Sequence, residues 1–117
     1  MNPDSVQDLI RAAVAFRDQR DWAQFHNPKE LAISLAVESA ELLQLMQWHK
    51  GEELERVILE KHAHLKDELA DVLFSVLLLA DELKIDLGRA FLEKLDKTGA
   101  KYPVEKAKGS AKKYTEF

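Results

Sequence analysis

From Val72 to Ala80 the chain is apolar at every position but Ser75, and Asp71 and Asp81 close the run at either end. A run this short falls well below the ~20 apolar residues that a membrane span needs, so it reads as a buried helix. Together with Leu69, its large side chains (Val72, Leu73, Phe74, Val76, Leu77, Leu78 and Leu79) take up almost the whole circumference of that helix. One thin helical subunit cannot cover such a helix on every side. The run therefore predicts a helix bundle whose leftover apolar face pairs with another chain. With only 4 Gly and 3 Pro in 117 residues, turn chemistry is scarce, which favours a few long helices over many short strands.

At 46% hydrophobic and 32% charged residues, the composition is too apolar for a disordered chain and too charged for a membrane protein. The absence of cysteine excludes disulfide scaffolds, thiol redox chemistry and Cys-based zinc sites, and it agrees with a cytoplasmic location. No basic stretch followed by an apolar segment opens the chain, so no secretory leader is expected. A net charge of −4 argues against a nucleic-acid polymer as partner. The charge is uneven, however. Residues 99–117 carry a net +3, five lysines against Glu105 and Glu116, which leaves −7 on the first 98 residues.

Read by period and caps, the chain resolves into an all-α, four-helix domain spanning residues 1–117. The first helix starts at Asp4 or Ser5, carries Val6, Leu9, Ile10, Ala13, Val14 and Phe16 inward, and ends near Arg20. Asn27-Pro28-Lys29-Glu30 places a capping residue, a proline at the first helical position and a glutamate three residues after the cap. The second helix is thus predicted from Pro28 to His49, with Gly51 as its C-terminal cap. The third runs from Glu52 to Leu83 or Lys84, about 50 Å if unbroken, with a bend around His62 to His64. Asp86 caps a fourth helix reaching Thr98, with Gly99 past its end, and residues 100–117 read as an extended basic tail.

Two acidic pairs, Glu38-Ser39-Ala40-Glu41 and Glu68-Leu69-Ala70-Asp71, carry the chemistry. Residues i and i+3 of a helix share a face, so each pair presents two carboxylates together. At about 100° per residue, Leu31, Leu35, Leu42 and Leu45 fall on the side of Glu38, and Leu65, Val72 and Leu79 on that of Glu68. A lone Glu-x-x-Glu is ordinarily a solvated face; two such pairs lying in apolar stripes are not. Buried, unpaired carboxylates cost several kcal/mol each, and no lysine of the second or third helix stands on those stripes to neutralise them. A set of hard oxygen ligands without Cys or His fits Mg²⁺, or Mn²⁺, better than zinc. Magnesium shares its shell with phosphate oxygens, which points to phosphoryl or nucleotidyl transfer to water with Glu38, Glu41, Glu68 and Asp71 as metal-binding and catalytic residues.

A nucleotide needs more than a metal. Trp22, Phe25 and Trp48 are candidates to stack on a base, and His26 to hydrogen-bond it. Lys94, Lys101, Tyr102, Lys112 and Lys113 are candidates for phosphate oxygens. Two other readings compete: a di-iron carboxylate bundle, disfavoured because the chain lacks any Glu-x-x-His, and a non-catalytic helical interaction module.

These residues also carry a resemblance. Glu38-x-x-Glu41, followed after 26 residues by Glu68-x-x-Asp71, resembles the signature of the all-α MazG-like nucleoside triphosphate pyrophosphohydrolases. Arg20-Asp21-Trp22-x-x-Phe25-His26-x-Pro28, Glu38 to Trp48, Glu68 to Leu73, Lys94, Tyr102-Pro103 and Lys113-Tyr114-Thr115-Glu116 extend it toward that family's dCTP pyrophosphatase branch. The resemblance implies Mg²⁺-dependent hydrolysis of a (deoxy)nucleoside triphosphate, of dCTP type, to monophosphate and pyrophosphate; dUTP and phosphoribosyl-ATP are alternative substrates. It implies that the four acids hold the metal, that Trp22, His26 and Trp48 line a base pocket, and that Lys94, Lys101 and Tyr102 contact phosphates. By the same analogy, Lys112, Lys113 and Tyr114 reach a neighbouring subunit's site in a dimer or tetramer. The family often carries Asn and Arg where this chain has Thr98 and Lys101.

Overall fold

The computed structural model describes residues 5–117, so a capping role for Asp4 lies outside the described residues. Among those residues the regular structure is all helical, without a strand, and no helix is long and apolar enough to cross a membrane. The chain forms two compact units, one reaching Ile85 and one from Asp86 to Phe117.

In the first unit, α1 (Val6–Gln19) follows from its apolar spacing, with Asp8 in the first turn and Arg17 in the last opposing the helix dipole. It buries Ile10 and Ala13. The chain reverses through Asp21, in the left-handed region at φ 54°, into a 3-10 turn, Ala23–Phe25. Asn27 then caps α2 (Pro28–Gln44) as its sequence predicts: its side-chain oxygen accepts from the Glu30 amide at 2.9 Å, and Pro28 opens the helix. The predicted third helix is two, α3 (Gly51–Glu60) and α4 (His62–Glu82), broken at Lys61, one residue before the expected bend. Helix α4 is the axis of the unit and packs against α1, α2 and α3. Its Leu77, Leu78 and Ala80 meet Ile10, Ala13, Leu31 and Val57 in a small core, with Ser75 the one polar side chain buried among the described residues. Arg17 on α1 bonds Asp81 on α4 at 3.2 Å across this packing.

Two helix ends differ from expectation. Helix α2 stops at Gln44, not His49, and the chain turns through residues 45–50, with Trp48 in the left-handed region at φ 73°. Gly51, expected as the C-terminal cap of α2, is instead the first residue of α3, at φ 60°. Leu45-Met46-Gln47 contains no residue that signals a stop, so the end is invisible to local chemistry.

The second unit begins with α5 (Leu87–Lys101), whose cap Asp86 accepts from the Arg89 amide at 3.2 Å. Helix α5 continues through Gly99, which was expected to lie beyond its end, because Pro103 rather than the glycine interrupts the backbone bonding. The stretch read as an extended tail holds a short helix, α6 (Val104–Ala107), and a 3-10 turn, Tyr114–Glu116. The ring of Tyr102 meets those of Tyr114 and Phe117 edge-on, each at 5.7 Å. Six α-helices thus replace the expected four among the described residues.

Candidate metal and nucleotide site

Helices α2 and α4 lie directly against each other, and this contact brings the two acidic pairs together. Carboxylate oxygens of Glu38, Glu41 and Glu68 all lie within 4.8 Å of one another. Asp71, one turn beyond Glu68, lines the same cavity as Glu38. Leu31 is buried and Leu35, Leu42 and Leu45 are half-buried, so the apolar stripe around Glu38 faces inward as its spacing predicts. The acids do not all follow it. Glu38 and Glu68 are half-buried, whereas Glu41 and Asp71 are exposed, so the cluster sits at the rim of the helix contact rather than in its interior.

The electrostatics are those of a site that wants a cation. Glu38 Oε2 and Glu68 Oε2 are buried without a hydrogen-bond partner among the described residues. Burial pushes the Glu38 carboxyl above the usual carboxylate range, and its hydrogen bond to Glu41 and the nearby charges of Glu41, Asp71 and Glu68 add to that rise. The other oxygen of Glu68 lies 3.3 Å from His64 Nε2, an ion pair when the imidazole is protonated. The orphaned buried oxygens and the all-carboxylate donor set fit a hard divalent ion such as Mg²⁺ or Mn²⁺.

A cavity of about 150 Å³ adjoins the acids, lined by His26, Ser34, Glu38, Asp71, Phe74 and Ser75 among others. Beside it, an apolar groove of about 460 Å³ runs between α1 and α4, past Ala12, Ala13, Phe16, Leu73 and Phe74, and ends at Asp71. An aromatic row connects the two. Trp22 meets Phe16 edge-on at 5.8 Å, Phe16 meets Phe74 at 5.9 Å, and the Arg20 guanidinium lies 3.5 Å over the Phe16 ring.

Of the expected base-binding residues, His26 lines the acid cavity and Trp22 joins the aromatic row. Phe25 and Trp48 line neither space, and Trp48 is 89% exposed. Of the expected phosphate contacts, Lys101, Tyr102 and Tyr114 come together in the second unit, where Lys101 Nζ stands 4.9 Å over the Tyr114 ring. Lys94, Lys112 and Lys113 are exposed. Sequence reasoning missed Ser34, Phe74 and His64. The last had a legible signal, since His64 and Glu68 stand four residues apart on one helix. Ser75, the single polar residue of the long apolar run, was another.

Residues 33–117 match the model of the MazG-like family, and the chain belongs to that family. Within it, the chain is similar to dCTP pyrophosphatase 1 of Bos taurus, 38% identical over 115 residues that make up 97% of this chain and 68% of that protein. To dCTP pyrophosphatase 1 of Homo sapiens it is 37% identical over the same shares. The crystal structure of a pyrophosphatase from Archaeoglobus fulgidus superimposes with a TM-score of 0.78 at 37% identity, over 83% of this chain and 91% of that one.

Proposed function

We propose that this chain is a nucleoside triphosphate pyrophosphohydrolase that cleaves dCTP or a closely related pyrimidine nucleotide to the monophosphate and pyrophosphate. Its similarity to dCTP pyrophosphatases over nearly its whole length supports the reaction. The observation that carries the site is the convergence of Glu38, Glu41 and Glu68, two of them with a buried oxygen that nothing among the described residues satisfies.

In this reading Glu38, Glu41, Glu68 and Asp71 hold Mg²⁺, with Mn²⁺ as a substitute. The ion supplies charge neutralisation for the triphosphate and a more acidic water. The chain's own groups do the rest. A carboxylate oxygen of the cluster orients the attacking water and takes its proton as the α–β phosphoanhydride opens, and pyrophosphate leaves with the bridging oxygen. Lys94, Lys101 and Tyr102, with Lys112, Lys113 and Tyr114, are the groups suited to hold phosphate oxygens. The apolar groove between α1 and α4 and the ring of Trp22 suit a base better than a sugar or phosphate. Trp48 belongs to the same reading. A bulky residue in the left-handed region is strained, and one that is also solvent-exposed gains nothing from packing, so its position makes sense as a surface awaiting a ligand ring or a partner.

The protein works as a homodimer or homotetramer in the cytoplasm. An uncovered apolar groove on α4 supports the assembly: Leu69, Val72, Leu73 and Val76 line about 470 Å³ of it. Asp71→Asn is expected to lower kcat/KM for dCTP by about 10²-fold, the scale on which losing one preorganised electrostatic group is felt. The assay is pyrophosphate release across a panel of triphosphates with Mg²⁺ and with a chelator. Full activity of the variant, or orthophosphate as the product, rejects the site.

A further inference from the structure

His26 is held in place by the chain on both sides of it. Its amide donates to the Ala23 carbonyl at 3.1 Å, closing the 3-10 turn, and the Phe25 amide donates to Trp22 at 2.9 Å. The next residue is Asn27, which caps α2, and the one after it the rigid Pro28, so the imidazole enters the first unit from a fixed backbone. It does not line the apolar groove between α1 and α4. It lines the small cavity beside the acids, and its Nδ1 is buried without a hydrogen-bond partner among the described residues. The same cavity is lined by Glu38, whose Oε2 is also buried and unpartnered, and by Ser34 and Ser75.

Two orphaned polar atoms of opposite hydrogen-bonding capacity in one polar pocket are costly apart and inexpensive together. At about 150 Å³ the cavity is small for a nucleotide and roomy for ordered water. We propose that His26 is a positioning residue for Glu38, acting through a water in this cavity, and not a reader of the nucleobase. With Nδ1 protonated, the imidazole donates to the water and the water donates to Glu38 Oε2, while Ser34 and Ser75 offer hydroxyls to complete its shell. Glu38 then has one oxygen tied back to the protein and the other directed to the metal, which fixes the carboxylate before substrate arrives. Outer partners of metal-binding carboxylates act in this way. The inference rests on the reading of the four acids as the metal site.

The test separates the two. On the full chain, Mn²⁺ binding is titrated by calorimetry without nucleotide for the native protein, Glu38→Gln, His26→Ala and His26→Asn, and kcat and KM for dCTP are measured alongside. Asparagine places an amide nitrogen near the position of Nδ1, so it can still bond the water. His26→Ala is expected to weaken Mn²⁺ binding by about 10–100-fold and to lower kcat with KM for dCTP nearly unchanged, and His26→Asn to restore most of both. If His26→Ala leaves Mn²⁺ binding intact and raises only KM, the imidazole contacts the nucleotide and the inference is wrong. Equal losses in the alanine and asparagine variants, with lowered melting temperatures, make the role structural and overturn it as well. Undiminished Mn²⁺ binding by Glu38→Gln brings down the metal reading itself, a result distinct from the other two.

Discussion

A single carboxyl group records the tension of the site. Burial, Glu41, Asp71 and Glu68 all hold the Glu38 proton more firmly in the folded chain than in the unfolded one. A group that binds its proton more tightly when folded makes the fold most stable below the ordinary carboxylate range, and that contribution is lost as pH rises through its elevated value. The metal-free protein is therefore expected to lose the part Glu38 contributes between pH 4 and pH 7, and to melt at a correspondingly lower temperature at pH 7. Glu38→Gln should flatten that dependence and raise the metal-free melting temperature at pH 7, because it removes a desolvated charge and its repulsion at once. The same variant should lose the stabilisation that Mg²⁺ gives the native protein. Thermal melts at the two pH values, with and without Mg²⁺, check all three. The four acids were legible in the sequence because i, i+3 spacing and the leucine stripes are periodic features. That Glu41 and Asp71 are exposed was not, since angular position on a helix says which side a residue faces and not how deep the neighbouring helix buries it.

At the scale of elements, signals built from side-chain chemistry were read correctly and signals expected from glycine were not. Asn27-Pro28 opens α2 and Asp86 caps α5 because each side chain satisfies an amide that the helix leaves free. Gly51 and Gly99 misled because glycine permits a helix end without requiring one. The reversal after α2 is made instead by Trp48, whose left-handed backbone costs about 1 kcal/mol or more for a residue with a Cβ. Trp48→Gly is accordingly expected to raise the melting temperature while raising KM for dCTP. Trp48→Ala, which keeps the Cβ, should raise KM without the gain in stability. A tryptophan variant that leaves KM unchanged would mean that the ring serves assembly rather than substrate, which the molecular mass in solution would then show.

For the whole molecule, the long apolar run of α4 does what its composition foretells: one face joins the core, and another is left open. Leu69 is 60% exposed and Leu73 43%, both along the groove that also holds Val76. Leu69→Lys is expected to shift the protein to a smaller species in light-scattering or sedimentation measurements, with its helix content intact, since the side chain adds nothing to the core of one subunit. What the sequence determined by itself is the all-helical class, the capped starts of α2 and α5, the face on which each acidic pair lies and the surplus of apolar surface, because these depend on period, capping chemistry and composition within one element. Tertiary structure alone decided where α2 and α3 end, that His26 shares a pocket with Glu38, and that the acids meet at a rim. Those depend on which helix packs against which, and packing joins residues whose separation along the chain carries no local signal.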